Sequence, residues 1–487
     1  VTQLSSETFD ANARAALNDA QLRGALRNAT SLFGKRRLEA ARSLENWEEL
    51  RTQARAIKDE TLLHLDRYLE EFTANAERAG AQIHWARDAA EANGIICRLA
   101  RERGARLAVK AKSMATEEIH LNAALEANGI EAIETDLGEY IIQLAHETPS
   151  HIIAPAIHKT RGQIAELFTQ KLGIEKTDDI AQLTITARQV LRDKFAAADL
   201  GISGVNFAVA ETGTILILEN EGNIRFTTSL PKTHIALMGI EKVIPRFADL
   251  EVFLKLLPRS GTGQHLTAYQ SLITGTKRNA DDEGPDELHI ILFDNGRSRM
   301  LTHPTTRQAL ACIRCGACLN ACPVYQQIGG HAYGSVYPGP IGAVITPQLF
   351  GLSKAAQLPF ASSLCGACRE VCPVKIDIPE LLLHLRAEIK EPSKVRDQRS
   401  EPVRPNPAEQ VAFRLWAAVM ARPRLYELSG KVFRFLQRSA ARDGAIRRVN
   451  GLLGRLAPPL AAWTGTRDLR PIEPETFREY WRRAAHD

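Results

Sequence analysis

Little of this 487-residue chain is aromatic (6%), and only one cysteine, Cys97, stands outside the stretch from Cys312 to Cys372. Thiols gathered in that way do not make the spread disulfide framework of a small secreted scaffold, and a chain that is 44% hydrophobic can build its cores without one. No apolar run approaches the ~18–20 residues that a membrane-spanning helix needs. The opening residues, VTQLSSETFDANARAAL, show no basic-then-apolar segment. The expectation is a soluble, cytoplasmic protein. No G-x-G-x-x-G follows a strand-like run and no G-x4-G-K-[ST] occurs, so dinucleotide and P-loop sites find no support. At roughly 150 residues per domain, the length calls for about three folded units.

The net charge of +5 is unevenly placed. Residues 390–487 carry 20 Lys and Arg against 11 Asp and Glu, so the basic surplus belongs to the tail. Residues 1–60, rich in Ala, Leu, Arg and Glu and free of Pro, read as a helical arm without a heptad. From 61 to 296 helix-period stretches alternate with short apolar runs at Ala81–Trp85, Leu107–Val109, Glu131–Glu134 and Ile152–Ile153, the pattern of an α/β domain with a mostly parallel sheet. Its second half has more antiparallel character, with hairpins expected around Glu211-Thr212-Gly213-Thr214 and Glu219-Asn220-Glu221-Gly222. A short helix at about 297–311 leads into a cysteine-rich domain spanning 297–390. Beyond it, residues 391–487 read as a polar, Pro-containing linker and then basic amphipathic helices.

The chemistry lies in Cys312-Ile-Arg-Cys315-Gly-Ala-Cys318-Leu-Asn-Ala-Cys322-Pro323, a complete C-x2-C-x2-C-x3-C-P run. In two-cluster ferredoxins the first three thiolates of such a run wrap one iron–sulfur cube, and the fourth reaches the other cluster. A second copy is therefore expected, and Cys365-Gly-Ala-Cys368-Arg-Glu-Val-Cys372-Pro373 supplies it, with Ser362 where its first cysteine would stand. Crossing the ligands gives cluster one Cys312, Cys315, Cys318 and Cys372. Cluster two keeps Cys322, Cys365 and Cys368. Either another group (Ser362, water, a partner's side chain) holds its fourth iron, or that corner is empty and the cluster is a three-iron species. Seven cysteines with two Cys-Pro ends fit tetrahedral zinc poorly. Two neighbouring clusters make a path for single electrons. The insert GGHAYGSVYPGPIGAVITP reads as an ordered loop packed on a cluster, with His331 a hydrogen-bonding or surface residue rather than a ligand.

Other signals have plainer readings. Lys110 and Lys112 before Ser113 mark a strand ending at a helix start, where an anion site is conceivable but an N-cap with a solvated first turn is the simpler account. Glu211 is a candidate active-site carboxylate, although a hairpin-turn residue explains it as well. Cys97, in GIICRLA, reads as a small buried hydrophobe. The basic tail lacks a nucleic-acid recognition motif. It fits a partner protein, an electron acceptor or an anionic membrane surface better, the last making the protein membrane-peripheral.

Taken together, the segments KAKSMATEEIHLN, ETDLGEYIIQLA, PSHIIAPAIHK, AETGTILILENEGN and SLPKTHIALMGIEKVIP, followed by the two cysteine runs and GGHAYGSVYPGPIGAVITP, resemble the lactate-utilisation protein B family over nearly the whole length. The resemblance implies an iron–sulfur subunit of a three-part bacterial system that oxidises L-lactate to pyruvate. It also implies an α/β domain of the coenzyme A transferase and sugar-isomerase type, two four-iron clusters on the cysteines named above, and two partner subunits. Rival readings are an electron-transfer subunit for another hydroxy acid or a quinone, and a transferase or isomerase using Glu211 with structural clusters.

Overall fold

The structure, a computed structural model, describes residues 6–279, 282–390, 407–437, 441–442, 444–449, 451–456, 458–465 and 467–484. There are two compact units, 1–403 and 404–487. In the first, ten strands follow in chain order: β1 (Ala81–Ala86), β2 (Leu107–Lys110), β3 (Glu131–Glu134), β4 (Leu200–Gly204), β5 (Phe207–Val209), β6 (Thr214–Glu219), β7 (Thr233–Gly239), β8 (Val243–Ile244), β9 (Tyr269–Ile273) and β10 (Glu287–Phe293). Six form an all-parallel sheet in the order β1-β10-β7-β4-β2-β3.

The central strands THIALMG and ELHIILF are apolar without alternation because both sheet faces are covered. Ile235, Leu237, Ile291 and Phe293 pack with Ile96 and Ala100 of helix Ala89–Glu102, whereas Ala236, Met238, Ile290 and Leu292 pack with Leu69 and Phe72 of helix Leu65–Arg78. A smaller sheet, β8-β5-β6-β9, holds the antiparallel pairs β5–β6 and β6–β9.

The runs at 81–85, 107–109 and 131–134 are strands of the parallel sheet, and the turn at 211–214 closes the β5–β6 hairpin. Two expectations fail. The turn at 219–222 leads into helix Asn223–Ser229 instead of a second hairpin, because Gly222 takes φ +79° and the Glu219 carboxylate accepts the N–H groups of Ile224 (2.7 Å) and Arg225 (3.0 Å), as a helix cap does. Ile152 and Ile153 lie in a loop, folded around His151, whose Nδ1 accepts the N–H groups of Ile153 (3.1 Å) and Ala154 (3.3 Å).

The N-terminal residues are helical, as Phe9–Asn18, Ala20–Arg42 and Trp47–Leu63. Their apolar faces do not stand away from the rest: Phe9, Leu26, Trp47 and Leu50 share one core with Leu319, Tyr325, Tyr333 and Val374 of the cysteine region. The 297–311 segment is helix Arg297–Thr302 followed by a 3-10 stretch, Thr306–Ala311. Half of the insert expected as a loop is helix Gly339–Phe350, which starts on Pro340 near its N-terminus and buries every residue from Gly339 to Pro347.

The expected linker, 391–406, lies outside the described residues. In the second unit the chain forms helices Pro407–Met420, Pro423–Gln437, Gly451–Leu456, Pro458–Thr464 and Phe477–Ala484. Arg434 grips Glu479 with two hydrogen bonds (2.9 and 3.2 Å), while Phe413, Trp416, Phe435, Phe477 and Trp481 are exposed. Among the described residues no helix is long and apolar enough to cross a membrane.

Candidate metal centre

The two cysteine runs fold alike. In each, the middle residue pair flanking a cysteine takes positive φ: Arg314 (60°) and Gly316 (77°) around Cys315, Leu364 (55°) and Gly366 (85°) around Cys365. A one-turn helix then carries the next thiol, Ala317–Ala321 for Cys318 and Ala367–Glu370 for Cys368, and a Cys-Pro step ends it. Left-handed backbone on both sides of one residue turns the thiol and successive N–H groups inward. At Gly316 a Cβ would lie 3.1 Å from His151 Cε1, a tight approach that adds to the positive φ in favouring glycine there.

Cys312, Cys315, Cys318 and Cys372 line one pocket, walled by Ile152, Ile313, Ile341, Val374 and Ile376. Backbone N–H groups point at the sulfurs, Arg314 N to Cys312 Sγ and Ile376 N to Cys372 Sγ, each at 3.4 Å. Burial, and next the adjacent Cys372, push the Cys315 thiol up; burial lifts Cys372 to about 11 against the N–H donors of Ile376 and Val374. In the other group burial and Cys322 lift Cys368 to about 12. The Cys322 thiol is raised by burial, and the charge that acts on it is that of Cys365. Cys365 is exposed and lowered, by the Ala367 N–H and the Ser363 hydroxyl. The Ser362 hydroxyl accepts the Leu364 N–H at 3.1 Å.

These residues suit an iron–sulfur group on three grounds. Buried thiols pressed together stay protonated unless a metal takes the protons' place. Tetrahedral zinc, with Zn–S of about 2.3 Å, would draw its sulfurs to about 3.8 Å of one another; among the described residues no trio of ligand atoms that includes a cysteine sulfur lies within 4.8 Å. The Tyr333 hydroxyl, fully buried, has no hydrogen-bond partner, and Cys322 and Cys318, one from each group, are the thiols whose charge acts on it.

Residues that sequence reasoning passed over hold this region together. Arg51, on helix Trp47–Leu63, donates from Nε (3.1 Å) and Nη2 (2.8 Å) to the Cys372 carbonyl and from Nη2 to the Glu370 carbonyl (2.9 Å). Arg37 donates to the Val371 carbonyl at 3.1 Å. On the other side Glu118, buried, takes a two-pronged bond from Arg297 (2.9 and 2.8 Å) and the Tyr337 hydroxyl (2.6 Å). Arg297 Nε also reaches Glu241 (2.6 Å), whose other oxygen faces Arg314 (3.5 Å) in the cysteine loop. Burial opposes ionisation of Glu241, but Arg297 and Arg314 hold its carboxyl down at about 2. A continuous chain of charge thus ties the parallel sheet to the loop of Cys312 and Cys315. Glu118, Glu241, Arg314 and Tyr337 lie in the motifs named above, and Arg297 does not.

Glu211 is exposed, and its carboxylate accepts the Phe247 N–H at 2.7 Å, away from the cysteines and their pocket. Ser113 caps helix Met114–Glu118, though the first turn is not solvated: Thr116 and Glu118 are buried. Lys110 is buried between Glu134 (2.7 Å) and Glu117 (3.0 Å). Cys97 is buried on helix Ala89–Glu102. His331 is exposed and hydrogen-bonds the Thr148 carbonyl at 2.7 Å.

An α/β domain built on an all-parallel sheet and joined through one core to a duplicated cysteine fold defines an iron–sulfur protein with an appended α/β domain, and family models agree. Residues 69–293 match the LUD domain, 308–376 the 4Fe-4S dicluster domain, and 384–485 the C-terminal domain of lactate utilisation protein B. Lactate utilization protein B of Shouchella clausii (strain KSM-K16) is 43% identical over 490 residues, covering 100% of this chain and 99% of that one. The protein of the same name from Anoxybacillus flavithermus (strain DSM 21510 / WK1) is 42% identical over 486 residues, with 100% and 99% covered, and that of Geobacillus sp. (strain WCH70) is 44% identical over 467, with 96% and 95% covered. The chain belongs to the lactate utilization protein B family.

Proposed function

We propose that the chain is the iron–sulfur electron-transfer subunit of a system that oxidises L-lactate to pyruvate together with two other subunits. One observation carries the reading: the thiols of two interleaved runs sort into four that line one pocket, Cys312, Cys315, Cys318 and Cys372, and a second three, Cys322, Cys365 and Cys368. The first four would hold a four-iron cluster. The other three would hold a second, its last corner left to a ligand other than cysteine or open in a three-iron form. Bound there, such clusters supply one-electron transfer at potentials set by hydrogen bonds, burial and nearby charge.

The chain's own residues prepare that setting. Ile152, Ile341 and Val374 exclude water from the first four thiols, and Arg314 with Lys58 brings positive charge to Cys312. Lactate enters through the relatives' name, and an α/β domain of coenzyme A transferase and sugar-isomerase type through the family resemblance. The rival transferase reading loses its carboxylate, since Glu211 is spent on a surface turn.

Oxygen-free purification followed by iron and sulfide analysis and electron paramagnetic resonance tests the proposal. About seven to eight irons per chain are expected, and a three-iron signal in the oxidised protein would mark the open corner. A colourless, iron-free or zinc-loaded preparation overturns it.

A further inference from the structure

Outside the carboxyl ends of β4 and β7, where open parallel sheets place their ligands, lies a cavity of about 280 Å³. That is at the floor of the ~300–1,000 Å³ range of drug-sized ligand sites, so its occupant is small. Ile152, Arg314 and Cys315 line both this cavity and the cysteine pocket, which makes the two neighbours across a single wall.

The carboxylates around the cavity are partnered, but among its cations Lys112, Lys242 and the Nη1 of Arg314 are not. Asp136 accepts the Glu139 N–H (3.1 Å), Glu221 accepts the Leu137 N–H (3.0 Å), and Glu219 accepts those of Ile224 and Arg225. Glu241 has its two arginines, and Arg297 has Glu118 as well. Lys112 and Lys242, both part-buried on the lining, have neither a hydrogen bond nor an ion pair. An ammonium withdrawn from water without a partner is costly, and an arriving anion removes that cost. Apolar surface from Met114, Ile153 and Met238 completes the lining.

We propose that this cavity binds a small monocarboxylate oxygenated at its second carbon, a 2-hydroxy or 2-oxo acid, with its carboxylate on the Lys242 ammonium and Lys112 as the second positive charge. The monocarboxylate class follows from the lining, because Asp136 and Glu219 would repel a second carboxylate, and Glu221, raised to about 7 by burial and next by Asp136, would add to this as it ionises. The 2-hydroxy or 2-oxo choice rests on the function proposed above. Binding beside Cys315 brings such an acid to the four thiols of the neighbouring pocket rather than to Cys322, Cys365 and Cys368.

The test is equilibrium binding to the full-length, iron-loaded protein under nitrogen, by calorimetry with L-lactate, pyruvate and malonate as probes, and by saturation transfer to the methyl groups of L-lactate and pyruvate. L-Lactate and pyruvate should bind, and malonate about tenfold more weakly or worse. Lys242→Met should weaken pyruvate by about tenfold or more, Lys112→Met by less, and Lys242→Arg should restore part of the loss, all with iron content unchanged. No binding of either acid at about 10 mM overturns the proposal, as does wild-type affinity in both methionine variants. It also fails if Lys242→Met moves a midpoint potential but leaves affinity untouched, for the ammonium then serves the thiols alone. An iron-free protein that still bound pyruvate through Lys242 would sink the electron-transfer reading and leave this site standing.

Discussion

The two groups of thiols are written in nearly the same short peptide and folded on the same pair of left-handed turns, yet they are housed differently. Cys315, Cys318 and Cys372 of the first group are each less than a tenth exposed, as are Cys322 and Cys368 of the second, but charges from Arg37, Arg51, Lys58, Lys242 and Arg314 act on the first group. In the other group Cys365 faces solvent, and no lysine or arginine stands out among the charges on Cys322, Cys365 or Cys368. The copies therefore differ in what surrounds them, not in their own backbone. Positive charge favours whichever redox state carries more electrons, so a centre in the first group should reduce at the higher potential.

The largest effect expected from breaking this contrast is a loss of metal. Cys318→Ala should empty the first site and, since that residue sits in the shared core, leave an aggregation-prone protein. Cys365→Ser should lower iron content by no more than about half and keep the first site's resonance signal. Equal losses from the two variants would erase the distinction.

Next comes the charge chain on the buried side. Glu241→Gln leaves Arg297 and Arg314 short of a carboxylate and should cost about 3 kcal/mol in chemical denaturation at neutral pH. The sign follows from the direction of the shift. The Glu241 carboxyl is held below its ordinary value of 4.5, at about 2, so its contribution is complete above about pH 4.5 and fades as the pH falls toward 2. The stability gap between wild type and variant should narrow over that same window. A gap independent of pH would mean that the ionised form is not what matters.

Arg51→Ala removes three hydrogen bonds to carbonyls of the Cys372 turn, and should cost about 2–4 kcal/mol. It should also speed iron release to a chelator from the first site while sparing the second. The smallest change is Tyr333→Phe. If the orphan hydroxyl bonds a cluster sulfur, deleting a bond worth about 1 kcal/mol should lower one midpoint potential by about 40 mV in a redox titration followed by electron paramagnetic resonance.

What could be read from the chain in advance follows a physical division. The strands of the parallel sheet and the pairing of Cys372 with the first run were legible because they depend on local pattern: apolar runs bounded by turns, and fixed thiol spacing. The loop at Ile152 was not, since two adjacent isoleucines look like a strand until the buried His151 ring gathers their N–H groups. Nor was helix Gly339–Phe350, whose glycines and prolines argue against a helix. Close packing outweighs that propensity, and at Gly342 a Cβ would run into the Tyr337 carbonyl. The Glu118–Arg297–Glu241–Arg314 chain joins residues far apart in sequence, and nothing in any one segment announces it.

The grip of Arg51 on the carbonyl of Cys372 spans 321 positions of the chain. During synthesis the N-terminal helices therefore emerge long before the turn they clasp exists, and the first run of thiols waits for its fourth member until the ribosome has passed residue 372. If those four thiols hold one cofactor, as proposed, its loading is a late event in the life of this polypeptide. A nascent chain stalled short of that point would present an unfinished core to the cell's chaperones and proteases.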